Sequence, residues 1–119
     1  MKVLLVDDTR TLLSLIRVYL MGWEIDFIEA KDGVDGLAKA RANPPDLIVS
    51  DVRMPGMDGF ELCAAVRADP ALFQIPLVLL TSLNDDASRR KGKLVGASAF
   101  LTKPVAVDEL RRTVGTLLK

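Results

Sequence analysis

Short, nearly unbroken apolar runs alternate along this chain with longer segments in which apolar residues recur every three or four positions. Val3-Leu4-Leu5-Val6 is the first such run, stopped by Asp7-Asp8, and a helical spacing follows at Leu12, Leu13, Leu15, Ile16, Tyr19 and Leu20. Trp23 to Ile28 alternates in part, which predicts a second strand with Trp23, Ile25 and Phe27 on one face. Lys31-Asp32-Gly33 then turns the chain into a helix carrying Val34, Leu37, Ala38 and Arg41, which Asn43-Pro44-Pro45 stops. Leu47-Ile48-Val49 predicts a third strand, and after a loop from Asp51 to Gly59 a helix runs from about Phe60 to Ala68. Leu77 to Leu80 predicts a fourth strand. A weaker helical stretch from about Asp86 to Val95 ends at Gly96, and Ala99-Phe100-Leu101 predicts a fifth strand. Val105 to Leu118 predicts a last helix whose buried stripe is Val107, Leu110, Val114 and Leu117.

Strands alternating with helices imply βαβ crossovers, and strands apolar at nearly every position belong in a parallel sheet covered on both faces. The predicted class is therefore α/β, a doubly wound five-stranded parallel sheet with five helices. The loops are short, so residues 1–119 are expected to form one domain.

Composition narrows the chemistry. The 119 residues hold 16 Lys plus Arg against 16 Asp plus Glu, one cysteine and no histidine. Without histidine, Ser-His-Asp and Cys-His catalysis and histidine-bearing zinc sites are excluded, and the chain cannot itself donate a phosphoryl group from histidine. The lone Cys63 forms no disulfide within the chain, which fits a reducing compartment, so a cytoplasmic location is expected. Zero formal net charge argues against a domain-wide grip on nucleic acid or an anionic membrane. The apolar runs are too short to span a bilayer, and no targeting signal is expected.

In a doubly wound sheet, ligands bind beyond the carboxyl ends of the strands, near the point where strand order reverses. Strand one ends in Asp7-Asp8, strand three in Asp51, strand four in Thr81-Ser82 and strand five in Thr102-Lys103-Pro104. Singly, each has a plain structural reading. Asp and Thr cap helices well, Thr81-Ser82 could cap the next helix, Asp51 could be a turn residue, and Lys103 could be an ordinary surface lysine. Their coincidence on one rim carries the argument. Two carboxylates about 5 Å apart repel by roughly 3 kcal/mol at an effective dielectric near 20, so three together need cations. Lys103 supplies one charge. An all-oxygen donor set suits Mg²⁺ for the rest, and such a site favours an incoming phosphoryl group. Asp51 needs no general base, because a carboxylate is already ionised at neutral pH.

Val6-Asp7-Asp8, the run from Asp51 through Met54-Pro55-Gly56 to Gly59, Thr81-Ser82, and Gly96-Ala97 through Phe100 to Lys103-Pro104 stand in this order over the whole chain. In these features it resembles the receiver domain of two-component response regulators, relatives of the chemotaxis response regulator. The resemblance implies a flavodoxin-like strand order 2-1-3-4-5. It implies that Asp51 accepts a phosphoryl group from a histidine kinase or phosphotransfer protein. Asp8, Asp51 and the Arg53 carbonyl would ligate Mg²⁺, with Asp7 acting directly or through water. Lys103 would pair with Asp51, and backbone amides near Arg53 and Ser82 would complete the cradle. Thr81 would be the switch hydroxyl and Phe100 the rotating aromatic, changing the face built by the fourth helix, fifth strand and fifth helix for a downstream protein partner. The Lys103-Pro104 bond would be cis. Phe100 also reads as a plain core aromatic. The expected role is a signalling phosphoacceptor rather than an enzyme, limited to Mg²⁺-dependent self-phosphorylation and autodephosphorylation, with no direct nucleic acid or membrane binding. It would act as a stand-alone regulator or as a receiver cut from a larger one.

Two other classes compare less well. A haloacid-dehalogenase-like phosphatase needs a second acid two residues after its aspartyl nucleophile, where this chain has Arg53. An atypical receiver, working as a phosphorylation-independent interaction module, sits poorly with the complete set of Asp7, Asp8, Asp51, Thr81 and Lys103. The fourth helix departs from the usual pattern: Ser88-Arg89-Arg90-Lys91-Gly92-Lys93 leaves mainly Ala87, Leu94 and Val95 to face the core. Gly92 costs about 1 kcal/mol there relative to Ala. A loosely held or shortened helix with a basic surface is predicted, the basic cluster being either a solvated face or a surface for an acidic partner. Arg53 and Leu83 are expected to flank the site, Met54 and Met57 to pack the loop, and Cys63 to be buried filler.

Overall fold

The computed structural model of the chain describes residues 1–82 and 85–118. Leu83 lies outside the described residues, as does the side chain of Leu12. The elements are β1 (Lys2–Val6), α1 (Arg10–Tyr19), β2 (Asp26–Ala30), α2 (Gly33–Ala42), β3 (Leu47–Asp51), α3 (Gly59–Ala68), β4 (Leu77–Thr81), α4 (Asp86–Leu94), β5 (Ala99–Thr102) and α5 (Val107–Leu117). The strands form one sheet in the order β2-β1-β3-β4-β5, parallel throughout. Order therefore reverses between β1 and β3, whose carboxyl ends carry Asp7 and Asp51.

Successive strand residues point to opposite faces, so a strand apolar at every position fills two cores at once. Leu4, Val6, Ile48, Leu77 and Leu79 pack on the side of α2 and α3, with Leu37, Leu62 and Val66. Val3, Leu5, Leu47, Val49, Val78 and Leu80 pack on the other side, with Leu13, Ile16 and Leu20 of the first helical segment and Leu110 and Val114 of α5. All five residues of β3 and of β4 are buried. At roughly 1.5–3 kcal/mol for each fully buried aliphatic side chain, the two layers supply the main driving force for the fold.

Aspartates begin three of the helices. Asp32 accepts a hydrogen bond from the Asp35 amide at 2.7 Å, Asp85 from the Ser88 amide at 2.6 Å, and Asp58 closes a capping box with Glu61. The start of α4 is thus held by Asp85, not by Thr81 or Ser82.

Four local expectations need correction. β2 begins at Asp26, and Trp23 and Ile25 precede it, though both pack against the same core as Phe27. Val107, expected in the buried stripe of α5, lies on its first turn with 41% of its surface exposed. Leu94 is 81% exposed and Ala87 is exposed as well, so neither faces the core. Gly92 is the buried residue of α4 among those described, and the expected cost of a glycine in that helix is set against close packing on β5. At nine residues α4 is within two residues of every other helix, so it is not shortened. Its Arg89, Arg90, Lys91 and Lys93 form the expected exposed basic surface. Cys63 is fully buried, with its thiol 3.3 Å from the Val95 carbonyl oxygen and its pKa pushed up by burial.

Candidate functional site

The carboxyl ends of β1, β3, β4 and β5 bring Asp7, Asp51, Thr81 and Lys103 to one edge of the sheet. Asp7 is 2% exposed, Asp51 8% and Thr81 1%, whereas Asp8 is exposed. Carboxylate oxygens of Asp7, Asp8 and Asp51 lie within 4.8 Å of one another.

Both oxygens of Asp51 are placed by the chain around it. Oδ1 accepts from the Val52 amide at 2.8 Å, and Oδ2 lies 3.3 Å from Lys103 Nζ. The following loop is held against the strand end because Gly59 donates its amide to the Val52 carbonyl at 2.8 Å. A Cβ at Gly59 would fall 2.3 Å from the Asp51 carbonyl oxygen, so only glycine lets α3 approach this closely. Sequence reasoning placed Gly59 merely at the end of a loop; the close approach is visible only in three dimensions.

Asp7 is held differently. Its Oδ1 accepts from both the amide and the hydroxyl of Thr9, at 2.8 and 2.7 Å. Thr9 therefore serves Asp7 rather than capping α1 with its side chain. Asp7 Oδ2 is buried with no hydrogen-bond partner among the described residues, and the nearest ammonium, Lys103 Nζ, is 4.0 Å away. Burial raises the Asp7 pKa above the ordinary carboxylate value, the Asp51 charge adds to the rise, and the Thr9 hydrogen bonds and Lys103 oppose it. One ammonium against three carboxylates leaves the cluster at a formal charge of −2. An orphaned buried carboxylate oxygen beside two further carboxylates is the donor set of a hard divalent cation, and the cluster is compatible with Mg²⁺.

Elsewhere on the rim, β5 is tied to β4 by the Lys103 amide, which donates to the Thr81 carbonyl at 2.8 Å, and Thr81 pairs in register with Thr102. The Lys103-Pro104 bond is cis. Arg53 and Ser82 are exposed, Met54 is buried and Met57 packs against the core. Phe100 is partly buried on β5, facing α4 rather than the carboxylates. Sequence reasoning placed Arg89 only within the basic run of the fourth helix; it lies over the Phe100 ring at 5.4 Å.

A parallel 2-1-3-4-5 sheet with an aspartate pair after β1, a buried aspartate ending β3 and a lysine beside it defines a receiver-type α/β protein. Sequence comparison agrees: the profile of the response regulator receiver domain matches residues 3–115, and the chain belongs to that family. It is 34% identical to the protein PilG of Pseudomonas aeruginosa over 92% of this chain and 82% of that one. It is 32% identical to PilH of the same organism, over 98% and 97%. With the response regulator PleD of Caulobacter vibrioides it shares 41% identity over 87% of its own residues, and there the chain spans only 23% of its relative's length. Among solved structures, the chemotaxis protein CheY4 of Vibrio cholerae superposes with a TM-score of 0.90 at 36% identity, covering 98% of each chain.

Proposed function

We propose that this chain, residues 1–119 as a single receiver unit, accepts a phosphoryl group on Asp51 from a histidine kinase or phosphotransfer protein. The observation that carries the reading is the Asp51–Lys103 pair at 3.3 Å inside the Asp7, Asp8 and Asp51 cluster. An oxygen of the ionised Asp51 carboxylate attacks phosphorus, the phosphorus–nitrogen bond of the donor phosphohistidine breaks, and the imidazole departs with the bonding pair. The product is an acyl phosphate. Lys103 stands where it can follow the negative charge from the carboxylate onto the phosphoryl oxygens. The amide of Val52 keeps Asp51 oriented for attack from Oδ2. Asp8, Asp51 and the Arg53 carbonyl would hold Mg²⁺, with Asp7 direct or through water. Mg²⁺, when bound, neutralises charge on the transferring phosphoryl group. Backbone amides near Arg53 and Ser82 complete the cradle.

Addition of a phosphoryl group places new charge beside Thr81, and a local charge change of this kind can bias a two-state element. Thr81 turns toward the group, Phe100 moves in response, and the α4–β5–α5 face changes for a downstream protein partner. No turnover of an external substrate is assigned; the chemistry is self-phosphorylation and autodephosphorylation. None of the described helices is long and apolar enough to cross a membrane, which is consistent with action in the cytoplasm beside a kinase.

The test is incubation with Mg²⁺ and acetyl phosphate followed by intact-mass measurement. The expected result is one added phosphoryl group on the wild-type chain and none on Asp51→Asn. An unmodified wild-type chain would instead favour a phosphorylation-independent interaction module.

A further inference from the structure

Two residues of α4 bracket the ring of Phe100. Arg89 and Gly92 are three positions apart and so lie on the same helix face. Gly92 forms the seat: a Cβ there would fall 2.9 Å from Phe100 Cδ2, so α4 can rest this close to the ring only because the side chain is absent. Arg89 forms the lid, with its guanidinium carbon 5.4 Å from the ring centroid. The same guanidinium donates to the Thr102 hydroxyl at 3.0 Å.

Phe100 and Thr102 alternate along β5 and present their side chains to the same face. Thr102 is in register with Thr81 and immediately precedes Lys103, the residue paired with Asp51. Arg89 thus crosses from α4 onto the segment of β5 that links the phosphoacceptor to the ring. Arg89 and Phe100 also line a groove of ≈ 540 Å³ between α4 and β5, together with Arg90 and Lys93. Displacing the ring changes the shape of that groove.

We propose that Arg89 is a positioning residue that, with Gly92 as the seat, latches Phe100 in the place seen here and so sets how readily events at Asp51 reorganise the α4–β5 face. The inference rests on the receiver reading above and adds the element that resists the switch. For the ring to leave its seat, the cation must lose the ring face and the Thr102 hydroxyl must lose this donor. Arg89→Gln keeps a polar side chain, two bonds shorter, and removes the charge that holds the ring.

The experiment is a titration with beryllofluoride in the presence of Mg²⁺, followed through the amide resonances of β5 and α4. Wild type, Arg89→Gln, Arg89→Lys, Phe100→Leu and the Arg89→Gln/Phe100→Leu double variant are compared, with Asp51→Asn as control. The midpoint for Arg89→Gln is expected roughly two- to fivefold below wild type, the equilibrium size of an exposed cation–π contact. Arg89→Lys, which keeps the cation, is expected closer to wild type than Arg89→Gln is. In the Phe100→Leu background the glutamine substitution is expected to shift the midpoint much less, because the ring contact is already gone and only the Thr102 hydrogen bond remains to be lost. An unchanged or higher midpoint in Arg89→Gln, or an undiminished shift in the Phe100→Leu background, overturns the latch while the receiver reading stands. A wild-type chain that does not respond, or responds as Asp51→Asn does, overturns the receiver reading and the latch with it.

Discussion

The acidic rim and the basic fourth helix are held by opposite means. At the rim, charge is buried against charge: Asp7 and Asp51 are almost wholly covered, their repulsion is answered in part by Lys103, and the backbone is packed so closely that Gly59 has no room for a methyl group. On α4, Arg90 and Lys93 stand in solvent, Arg89 and Lys91 lie over the rings of Phe100 and Phe60, and the residue that turns inward is a bare glycine against the Phe100 ring. A buried cluster of like charge destabilises the fold and persists where a ligand or a reaction uses it. Solvated charges on a helix cost little and contribute little. The rim is therefore where substitutions should move both chemistry and stability, and the exposed side of α4 is where they should move neither.

The largest contrast expected is in phosphorylation. Asp51→Asn should abolish labelling by acetyl phosphate, whereas Arg90→Ala and Lys93→Ala should leave its extent unchanged by intact mass. The next is in stability. Gly59→Ala should cost about 3 kcal/mol or more in urea unfolding, because the added methyl group meets the backbone of Asp51 and Val52 rather than a movable side chain.

Asp7→Asn should act in the opposite direction. The amide oxygen can keep both Thr9 contacts while the orphaned buried charge is removed, so Mg²⁺-free protein at neutral pH should be more stable than wild type in urea unfolding. The folded-state pKa of Asp7 is raised, so the wild-type chain loses stability as pH climbs from the unfolded value toward the folded one. The gain from Asp7→Asn should accordingly be full above that window and vanish below about pH 4, as thermal melts at several pH values would read. Added Mg²⁺ should stabilise wild type more than Asp7→Asn. The smallest effect is expected on the other region, where Arg90→Ala and Lys93→Ala should each change the unfolding free energy by no more than about 0.5 kcal/mol. A larger loss there would mean that the exposed cations are structural after all.

The βαβ rhythm was legible because it is local: four-residue apolar runs such as Val3 to Val6 and Leu77 to Leu80 have no other economical packing than a sheet covered on both sides. Which strand ends would meet was legible through the same rhythm, which places Asp7, Asp51, Thr81 and Lys103 at the carboxyl ends of their strands. Helix starts were less so. Val34 and Val107 obey the apolar spacing yet fall on the first turns of their helices, where both are exposed. Trp23 and Ile25 satisfy the apolar pattern without joining the ladder, because parallel pairing with β1 begins at Lys2 and Asp26.

By itself, then, the sequence determined the class of fold and the rim on which its acidic residues gather, since burial period and strand ends are properties of neighbouring residues. Only the tertiary structure decided which side of α4 turns inward. With Leu94 and Ala87 left in solvent, that helix has no apolar seam, and its inward side is marked by long-range contacts: Gly92 and Arg89 on Phe100, and Lys91 on Phe60. The same holds for the unpartnered oxygen of Asp7. Its isolation arises from atoms contributed by separate strands, and no local pattern records it.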